Sequence, residues 1–421
     1  MIINENTNST YAVSIISKST GITYNVTKIL LDLTLAENDG QISQCATVSF
    51  INLLYENTYL SSLINVMDRI FIYADDGEKK DEVFRGFVWE RNYRSGLEKE
   101  ITLVCYDNLI YFQQSEDNDY FTAGQDTDDI CGALCSKWGV ELSYSYETIS
   151  HPKLPVSGKL ADIFTSDILD EVKKKKGKKY VMLSAKDIVK IATVGQNAVK
   201  YHVRAKENSG TIEDDITMDN VVTQVIITGK ADDEERTPIE DTLKGNVEWY
   251  GTIQQTVSSN EDKPEEARSE AEEILEAGKE PERVIHINGA VNNPWIRKGD
   301  AIILNAGNIV ETECIVKSIT HDGYKKTMDI DVTISDGNQD STGGGTGANG
   351  DYSAGKKLSL SNVPLYISSD ASSQSLTVSG TYYLYDGIEI LGRFRITNTS
   401  ERVGAKPINS NVTGWIDKEY V

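Results

Sequence analysis

Two stretches of the chain share one pattern of apolar and polar positions. Each opens on an Asp (Asp68 or Asp300), runs into an apolar strand and a turn, continues through two more strands, and closes on an Asp (Asp107 or Asp336). The predicted strands are residues 70–74, 83–88 and 101–105 in the first copy, and residues 301–304, 313–319 and 328–334 in the second. We therefore predict a duplicated β-unit in which Asp68 superposes on Asp300 and Asp107 lies near Asp336.

Alternating patterns place further strands before both copies. They fall at residues 11–16, 24–35 and 46–54 in the first case, and at residues 201–204, 221–228, 247–257 and 284–288 in the second. About six strands can close a small barrel, which leaves no exposed sheet edge. We predict a mainly β fold with similar β-barrels in residues 1–110 and 201–336. The second barrel also contains a Glu-rich helix at residues 262–277, with Pro264 in its first turn.

The period of the apolar positions becomes helical in the middle of the chain, so we predict an α/β insertion in residues 111–200. Its first helix covers residues 126–139 and its second residues 162–176. Ser184 followed by Asp187 has the form of a capping box, which predicts a short third helix. A run of lysines closes the second helix. Cations are favoured at a helix C-terminus, and a phosphate or membrane contact is the alternative interpretation.

The last part of the chain is predicted to be a separate module. A Gly-rich linker at residues 337–355 contains a G-x-G-x-x-G spacing, but no predicted strand precedes it and no helix follows, so a phosphate site is not indicated. Residues 356–421 contain short strands joined by Gly, Asn and Ser turns, which suits a small SH3-like barrel. Four aromatic residues there either pack in a core or form an exposed binding groove: Tyr382, Tyr383, Tyr385 and Trp415.

Composition narrows the function classes. The chain has 421 residues and a net charge of −23, which argues against a nucleic-acid-binding surface. The acidity serves either solubility or a functional surface. The five cysteines suit reduced core thiols, and for Cys131 and Cys135 this interpretation competes with two metal ligands on one helix. No signal peptide or membrane span is indicated, so we expect synthesis in the cytoplasm.

The sequence offers no recognisable catalytic constellation. Its four histidines are scattered without metal-ligand spacing, and the nucleophile-elbow, phosphate-loop and Cys-His motifs are missing. Adjacent carboxylates are uninformative in so acidic a chain. We therefore predict a protein that is not an enzyme and has no catalytic, metal-binding or cofactor-binding residues.

Several ordered motifs carry a resemblance to a known family. They are MDRIFIY, VFRGFVWE and ITLVCYDNLIYF in the first half, then NNPWIRKGDAIIL and CIVKSITHDGYKKTMDIDV. Through them, residues 1–336 resemble the baseplate hub proteins of contractile phage tails, the late-control-protein-D family of Mu-like and PBSX-like phages. These are related in fold to the hub-like part of type VI secretion spike proteins. The module from residue 356, with its NVTGWI ending, is similar to bacterial SH3-like modules.

The resemblance implies a structural role in the baseplate of a phage tail or a tail-like bacteriocin. It implies a homotrimer that contacts a hexameric tail tube protein, a spike protein and other baseplate proteins. Specific nucleic-acid binding is not implied, although DNA could pass along an acidic lumen, for which Glu98, Glu100 and residues 232–235 are candidates. The alternative is a cell-wall-binding or cell-wall-degrading tail component that acts through the SH3-like module. A secretion-system spike would need a long β-helical extension.

Overall fold

The fold is mainly β, as the alternating patterns predict. A computed structural model describes residues 9–95, 99–204, 207–208, 210–229, 237–259, 264–306, 309–335, 354–369, 371, 373–390, 392–405 and 411–421. The chain divides into two units, Met1–Asn338 and Gln339–Val421, and the division falls inside the predicted linker.

The first half of the first unit is an antiparallel sheet. Its elements are β1 (Thr10–Ile16), β2 (Thr23–Asn25), β3 (Leu30–Glu37), β4 (Cys45–Ile51), β5 (Leu54–Tyr55), β6 (Thr58–Tyr59), α1 (Leu60–Leu63), β7 (Arg69–Asp75), β8 (Lys80–Arg94) and β9 (Glu100–Tyr106). The main strands lie in the order β3-β4-β9-β8-β7-β1-β2. Alternate side chains point into one core; on β7 these are Ile70, Ile72 and Ala74, all fully buried.

The middle region contains both helices and strands. Its elements are α2 (Ile110–Gln114), β10 (Glu116–Phe121), α3 (Thr127–Lys137), β11 (Glu141–Ser145), β12 (Leu154–Lys159), α4 (Leu160–Asp162), a π-helical stretch (Ile163–Leu169), α5 (Asp170–Lys176), β13 (Tyr180–Ala185) and β14 (Ile188–Thr193). Both predicted longer helices are confirmed. The second runs without a break from α4 to α5 and ends at Gly177, which adopts the left-handed conformation.

The predicted third helix of this region is wrong. Ser184 and Asp187 belong to the hairpin β13–β14, whose two turn residues, Lys186 and Asp187, have φ angles of 54° and 68°. Two successive left-handed residues are the mark of a tight hairpin turn. The capping-box spacing and this turn use the same polar residue types, so the local signal did not separate them.

The second half of the first unit contains a second sheet with a smaller inserted one. Its elements are β15 (Tyr201–Arg204), β16 (Thr211–Thr217), β17 (Gln224–Thr228), β18 (Ile239–Lys244), α6 (Val247–Tyr250), β19 (Gln254–Ser258), α7 (Pro264–Ala277), β20 (Glu282–Val291), β21 (Ala301–Ala306), β22 (Ile309–Asp322) and β23 (Thr327–Ile334). The strand predicted at residues 247–257 is instead α6 followed by β19. Strands β17 to β19 form the small sheet, and α7 packs on it through Ala267 and Ala271.

The two halves have the same strand order. The first reads β3-β4-β9-β8-β7-β1 and the second β16-β20-β23-β22-β21-β15, which matches them strand for strand along the chain. One strand differs in direction: β1 is antiparallel to β7, whereas β15 is parallel to β21.

Two closed barrels were predicted, but the strands with described pairings close no barrel. Strand β3 pairs with β22 of the second half, and this pairing joins both sheets into one of 13 strands. A separate first barrel would need this edge of β3 for its own closing strand, but β22 of the second half is paired there.

The second unit is a four-stranded antiparallel sheet in chain order. Its strands are β24 (Lys357–Leu365), β25 (Leu376–Ile390), β26 (Arg393–Thr397) and β27 (Gly414–Asp417). An isolated bridge between Tyr366 and Trp415 links the end of β24 to β27. Leu384, Phe394 and Ile416 lie in its core. The strands suit the predicted small β module, while its assignment as SH3-like stays a prediction.

The turn that leads into β7 is fixed by Asp68. Its carboxylate accepts a hydrogen bond from the backbone N–H of Asn65 at 2.7 Å, which closes the turn. The backbone N–H of Met67 donates to the carbonyl of Val88 at 2.7 Å, and the N–H of Val88 donates to the carbonyl of Asp68 at 2.9 Å. Met67 has a φ of 68°, a backbone conformation that residues other than Gly rarely adopt.

The turn that leads into β21 repeats these bonds. Asp300 accepts from the N–H of Arg297 at 2.8 Å, and Gly299 and Asp300 exchange backbone hydrogen bonds of 2.9 Å with Val316. Gly299 takes the left-handed position with a φ of 84°. The predicted correspondence of Asp68 with Asp300 thus holds in hydrogen bonding. Asp336, the expected counterpart of Asp107, lies outside the described residues.

The two turns differ in what surrounds the left-handed residue, and this generates a prediction. A Cβ added to Gly299 would lie 2.7 Å from the Cβ of Val181. We expect Gly299→Ala to lower the free energy of unfolding by about 2–4 kcal/mol, because a strained φ and a clash combine. The reciprocal Met67→Gly should stay within about 1 kcal/mol of the parent, since Gly relieves strain there but raises the entropy of the unfolded chain. Urea unfolding measures both, and equal stability of the two variants would contradict the account.

Candidate assembly site at the junction of the two halves

Backbone pairing between the halves forms the base of the junction. Strand β22 lies antiparallel to β3 over four residue pairs. The pairs are Ile319 with Glu37, Thr320 with Ala36, His321 with Leu35, and Asp322 with Thr34. The turn after β22 also follows this line, because the N–H of Gly323 donates to the carbonyl of Leu33 at 2.8 Å. The two halves therefore behave as one sheet here.

A buried ion pair lies beside this pairing. Arg297 donates to both carboxylate oxygens of Glu37, from Nε at 2.8 Å and from Nη2 at 2.7 Å. The backbone N–H of Lys298 adds a third bond to this carboxylate at 3.1 Å. Burial opposes ionisation of Glu37, but the charge and hydrogen bonds of Arg297 outweigh it and hold the pKa of Glu37 below its usual range. A bidentate pair of this kind fixes both distance and orientation between the halves.

Two further carboxyl groups surround Arg297, and they are the aspartates of the duplicated pattern. Asp107 is 2% exposed and accepts from the N–H groups of Gln44 and Leu109 at 3.1 Å and 3.0 Å. Burial raises the pKa of Asp107 to about 7 and that of Asp300 to about 6. The single charge of Arg297 is already matched by Glu37, whose negative charge also disfavours ionisation of both aspartates.

Polar contacts to the first half continue along the second-half segment that precedes β21. The side chain of Asn292 donates to the hydroxyl of Tyr11 at 2.6 Å and lies 2.7 Å from Nδ1 of the buried His321. Burial lowers the pKa of His321 to about 4. Trp295 donates from its indole N–H to Asp76 at 2.6 Å. The NNPWIRKGD motif thus supplies most of the side chains that hold the halves together.

The hairpin β13–β14 attaches the middle region to the first half. Asp187 in its turn forms ion pairs with Arg69 at 2.7 Å and Arg85 at 3.3 Å, and its carbonyl accepts from Asn108 at 2.7 Å. Neither this contact nor the Glu37–Arg297 pair was foreseen from the sequence. Their partners are far apart in the chain, so no periodic pattern marks them.

An exposed apolar patch lies on the first half. It consists of six residues around the β5–β6 hairpin, named here the β5–β6 patch: Ile51, Leu53, Leu54, Tyr55, Tyr59 and Val66. Leu54 is 58% exposed and Val66 54% exposed. Clustered apolar side chains at such exposure are typical of surfaces that become covered by a partner.

The four aromatic residues predicted in the second unit differ in burial and in their contacts. Tyr382 packs against the core, and Tyr385 is 2% exposed with its hydroxyl donating to the carbonyl of Ala405. Tyr383 and Trp415 are half-buried, and the guanidinium of Arg395 lies 4.7 Å from the ring centroid of Trp415. Core packing accounts for Tyr382 and Tyr385. An aromatic groove stays a prediction for Tyr383 and Trp415.

The other positions singled out in the sequence lie in a core, at the start of a strand, or outside the described residues. Cys131 and Cys135 are buried in the core of the middle region. Within the residues that the structure describes, no three His, Cys, Asp or Glu side chains come together as metal ligands. Glu100 begins β9 and is half-buried, whereas Glu98 and residues 232–235 lie outside the described residues. None of the helices in the described ranges combines the length and apolar character needed to cross a membrane.

Comparison with known proteins gives a family and a shared fold. A family model described as YQBQ-like matches residues 17–333, and no curated protein sequence matches the chain. The fold is similar to a tail protein from Neisseria meningitidis MC58, with 10% identity and a TM-score of 0.55 over 77% of this chain and 96% of that one. It is also similar to the 43 kDa tail protein of prophage MuSo2 from Shewanella oneidensis, with 11% identity and a TM-score of 0.54 over 77% and 98% of the respective chains.

The ion pair of the junction gives a prediction for stability. Replacing Arg297 by Met leaves the carboxylate of Glu37 buried without its cation, so we expect the free energy of unfolding at pH 7 to fall by about 3–5 kcal/mol. The double variant Arg297→Met, Glu37→Gln should recover part of this loss, because the carboxylate that lost its cation is then also removed. Arg94→Met on the exposed end of β8 is the control. Urea unfolding would refute the account if Arg297→Met and Arg94→Met were equally stable.

The raised pKa of Asp107 gives a prediction for pH dependence. The folded state holds its proton up to about pH 7, whereas an unfolded Asp ionises near its ordinary value of 3.8. The contribution of the Asp107 carboxyl to the free energy of unfolding is therefore full at low pH and declines as pH rises from about 4 to about 7. Asp107→Asn cannot ionise, so its unfolding free energy should decline less over this window. Identical pH profiles for the variant and the parent would show that Asp107 is ionised throughout.

Proposed function

The chain belongs to the YQBQ-like family, and we propose that it is the structural hub of a contractile-tail baseplate, a trimeric ring that joins a sixfold tail tube to a threefold spike. The observation that carries the proposal is the repeated strand order of the two halves, including the Asp-anchored turns at Asp68 and Asp300. Three copies of a duplicated chain offer six similar surfaces to a sixfold ring and remain threefold towards a spike.

The fold comparisons support a role in a tail. Both similar structures are tail proteins, and the similarity extends over nearly their whole length. The absence of three or more clustered metal-ligand side chains among the described residues is compatible with a structural role. The particle would be assembled from cytoplasmic subunits, as either a phage tail or a tail-like bacteriocin.

The β5–β6 patch is the surface that we assign to contact with a neighbouring ring or baseplate protein. Its apolar side chains lie on a short hairpin and in the segments around it, where they do not belong to the core of the sheet. A partner that covers this patch removes apolar surface from water, which stabilises the assembly. This stabilisation does not require matched charges on the two proteins.

The net charge supports a passage for DNA in a phage particle. A lumen lined by carboxylates would repel phosphates and leave DNA no binding site along its path. Glu100 is the one candidate for this lining whose position the structure describes; it begins β9. In a bacteriocin, the same charge would serve solubility.

Reconstitution tests the proposal directly. The full chain is mixed with the tube and spike proteins encoded by the same tail gene cluster, and the complex is weighed by native mass spectrometry. We expect three copies of this chain for six tube subunits and three spike subunits. Six copies or one copy would overturn the trimeric hub.

The β5–β6 patch gives a prediction for binding. Leu54→Asp places a charge in the patch and should weaken binding to the tube protein or its baseplate neighbour at least tenfold, because the charge must be desolvated in the interface. Leu376→Asp is the control: Leu376 is 53% exposed, close to the 58% of Leu54, but lies in the second unit. Retained binding by Leu54→Asp would remove the patch from the interface.

The second unit is proposed to be dispensable for the ring and to serve contact with other components, including the cell wall. Deletion of residues 340–421 removes the unit that begins at Gln339 while leaving the whole joined sheet of the first unit. We expect truncated chains to build rings that electron microscopy cannot distinguish from the parent. Failure of ring assembly, with the truncated chain still folded, would make the second unit part of the hub.

A further inference from the structure

The strands β3 and β22, which join the two halves, each have a counterpart in the other half. The repeated strand order makes β16 the counterpart of β3 and β8 the counterpart of β22. Among the described strands, β16 pairs only with β20, and the last residues of β8 pair only with β9. The sides of β16 and β8 that correspond to the joined sides of β3 and β22 are therefore open sheet edges.

Hydrogen bonds show which residues of β8 correspond to β22. Val88 exchanges backbone bonds with the aspartate-anchored turn before β7, and Val316 does so with the turn before β21. Directly after each of these valines, the register with the following strand shifts by one extra residue, as in a β-bulge. Residues 319–322 of β22, which pair with β3, therefore correspond to residues 91–94 at the end of β8.

The register across the sheets matches β16 with β3 in the same way. From these two valines, the facing residues lead across β9 and β4 to Leu35 of β3, and across β23 and β20 to Asp214 of β16. Leu35 and Asp214 thus hold the same position in the two halves. Residues 34–37 of β3, which pair with β22, correspond to residues 213–216 of β16.

The corresponding stretches differ in exposure. Ile319 and His321 of β22 are buried, whereas residues 91–94 of β8 are all exposed. Residues 213–216 of β16 are exposed as well, and the apolar Ile216 is 65% exposed. An open strand edge with an exposed apolar side chain favours association with another strand, so natural sheets usually cover or protect such an edge.

Transferring the register of the junction to these open edges brings opposite charges together. It places Arg94 of β8 opposite Glu213 of β16. Within the described residues neither side chain forms an ion pair. Two carboxylates accompany Arg94 in its own chain: Glu90 precedes the paired stretch of β8, and Glu100 faces Arg94 from β9, on the side away from the open edge. Facing residues of opposite charge stabilise a pair of antiparallel strands, whereas like charges destabilise it.

The remaining charges of the two stretches have partners within the chain. Arg283 donates to both carboxylate oxygens of Asp214 at 2.7 Å and 2.6 Å, and Nε2 of His286 lies 3.7 Å from Asp215. The guanidinium of Arg91 donates to backbone carbonyls in α1 and at its C-terminal end. The electrostatic match therefore rests on one facing pair and does not depend on a surplus of either charge.

An apolar contact takes the place of the Glu37–Arg297 ion pair in this register. Ile216 corresponds to Glu37. Asn65 corresponds to Arg297, because each donates its backbone N–H to the aspartate of its turn. Val66, which follows Asn65, is 54% exposed. The register thus brings two exposed apolar side chains, Ile216 and Val66, to the place where the joined halves bury two charges.

We propose that β16 of one copy of the chain pairs with the end of β8 in a second copy, in the antiparallel register of β3 with β22. The occupant of each open edge is identified by the chain itself, since the equivalent edge already binds the equivalent strand. Each chain offers one edge of each kind, so copies join head to tail and three of them close a ring. The inference rests on the hub proposal and names the strands that hold its ring together. It uses Val66 of the β5–β6 patch and leaves the hairpin to the tube or baseplate partner.

Cysteine cross-linking of the full chain, mixed with the tube and spike proteins, tests the register. Asn92→Cys with Asp215→Cys places two thiols on facing residues of the proposed pairing. The bond from Gly323 to Leu33 makes the equivalent pair of the junction a non-hydrogen-bonded one, where facing side chains lie closest. Asn92→Cys with Glu213→Cys moves one thiol by two residues and is the matched control. After mild oxidation, we expect at least tenfold more covalent dimer and trimer from the first variant.

Charge reversal tests the facing pair independently. Arg94→Glu or Glu213→Arg alone should lower the affinity between copies about tenfold, because like charges then face each other. Both changes in one chain should restore it, since every contact regains an opposite pair. Lys153→Glu reverses an exposed charge of the middle region and should change the affinity less than twofold. Native mass spectrometry of the same mixtures over a range of concentrations measures the affinity, and circular dichroism confirms that each variant folds.

The outcomes separate this pairing from the hub proposal. Equal cross-linking of the two cysteine variants, or no recovery in the double charge reversal, would overturn the pairing. If the parent chain still gave three copies in the complex, the hub would stand and its ring would be held by another surface. Selective cross-linking in a complex of six copies would support the pairing while contradicting the trimeric hub.

Discussion

The arrangement of the two halves depends on one buried ion pair, between Arg297 and Glu37. Burying two charges costs more than their attraction returns unless the geometry is nearly ideal, and here it is bidentate with a third bond from the backbone. Any displacement of one half relative to the other costs free energy, because it leaves the buried charges of Arg297 and Glu37 unpaired. The pairing of β3 with β22 supplies backbone bonds beside it. Burial raises the pKa values of Asp107 and Asp300 nearby, and the negative charge of Glu37 adds to this effect.

The turns before β7 and β21 have the same backbone conformation and hydrogen bonds but lie in different surroundings. In the first half, the left-handed position is Met67 and the neighbouring Val66 is exposed in an apolar patch. In the second half, the left-handed position is Gly299, because Val181 packs against its Cα, and Arg297 of the same turn reaches Glu37. The aspartate and the strand bonds are the same in both. The sequence differences therefore follow from the surroundings of each turn and not from the turn itself.

The sequence predicts the parts of this fold that depend on local periodicity. Alternation located the strands of both copies, and helical spacing located α3 and the long helix ending at Gly177. The predicted third helix failed because a capping box and the hairpin turn at Asp187 use the same residue types. The predicted closed barrels failed because the edge of β3 pairs with β22, which is distant in the chain. The junction itself could not be predicted, since Glu37 and Arg297 meet only after both sheets have formed. The NNPWIRKGD motif contributed to the family resemblance but did not predict that Arg297 binds Glu37.

We propose that one chain supplies two equivalent sets of strands to a sixfold partner. Single-particle imaging of the intact tail, reconstructed without imposed symmetry at the baseplate, is the decisive measurement. The account predicts a threefold ring in which six similar sheets alternate around the axis, each chain contributing two that are joined through β3 and β22. A ring of six chains, or a ring in which only one half of each chain faces the tube, would contradict it.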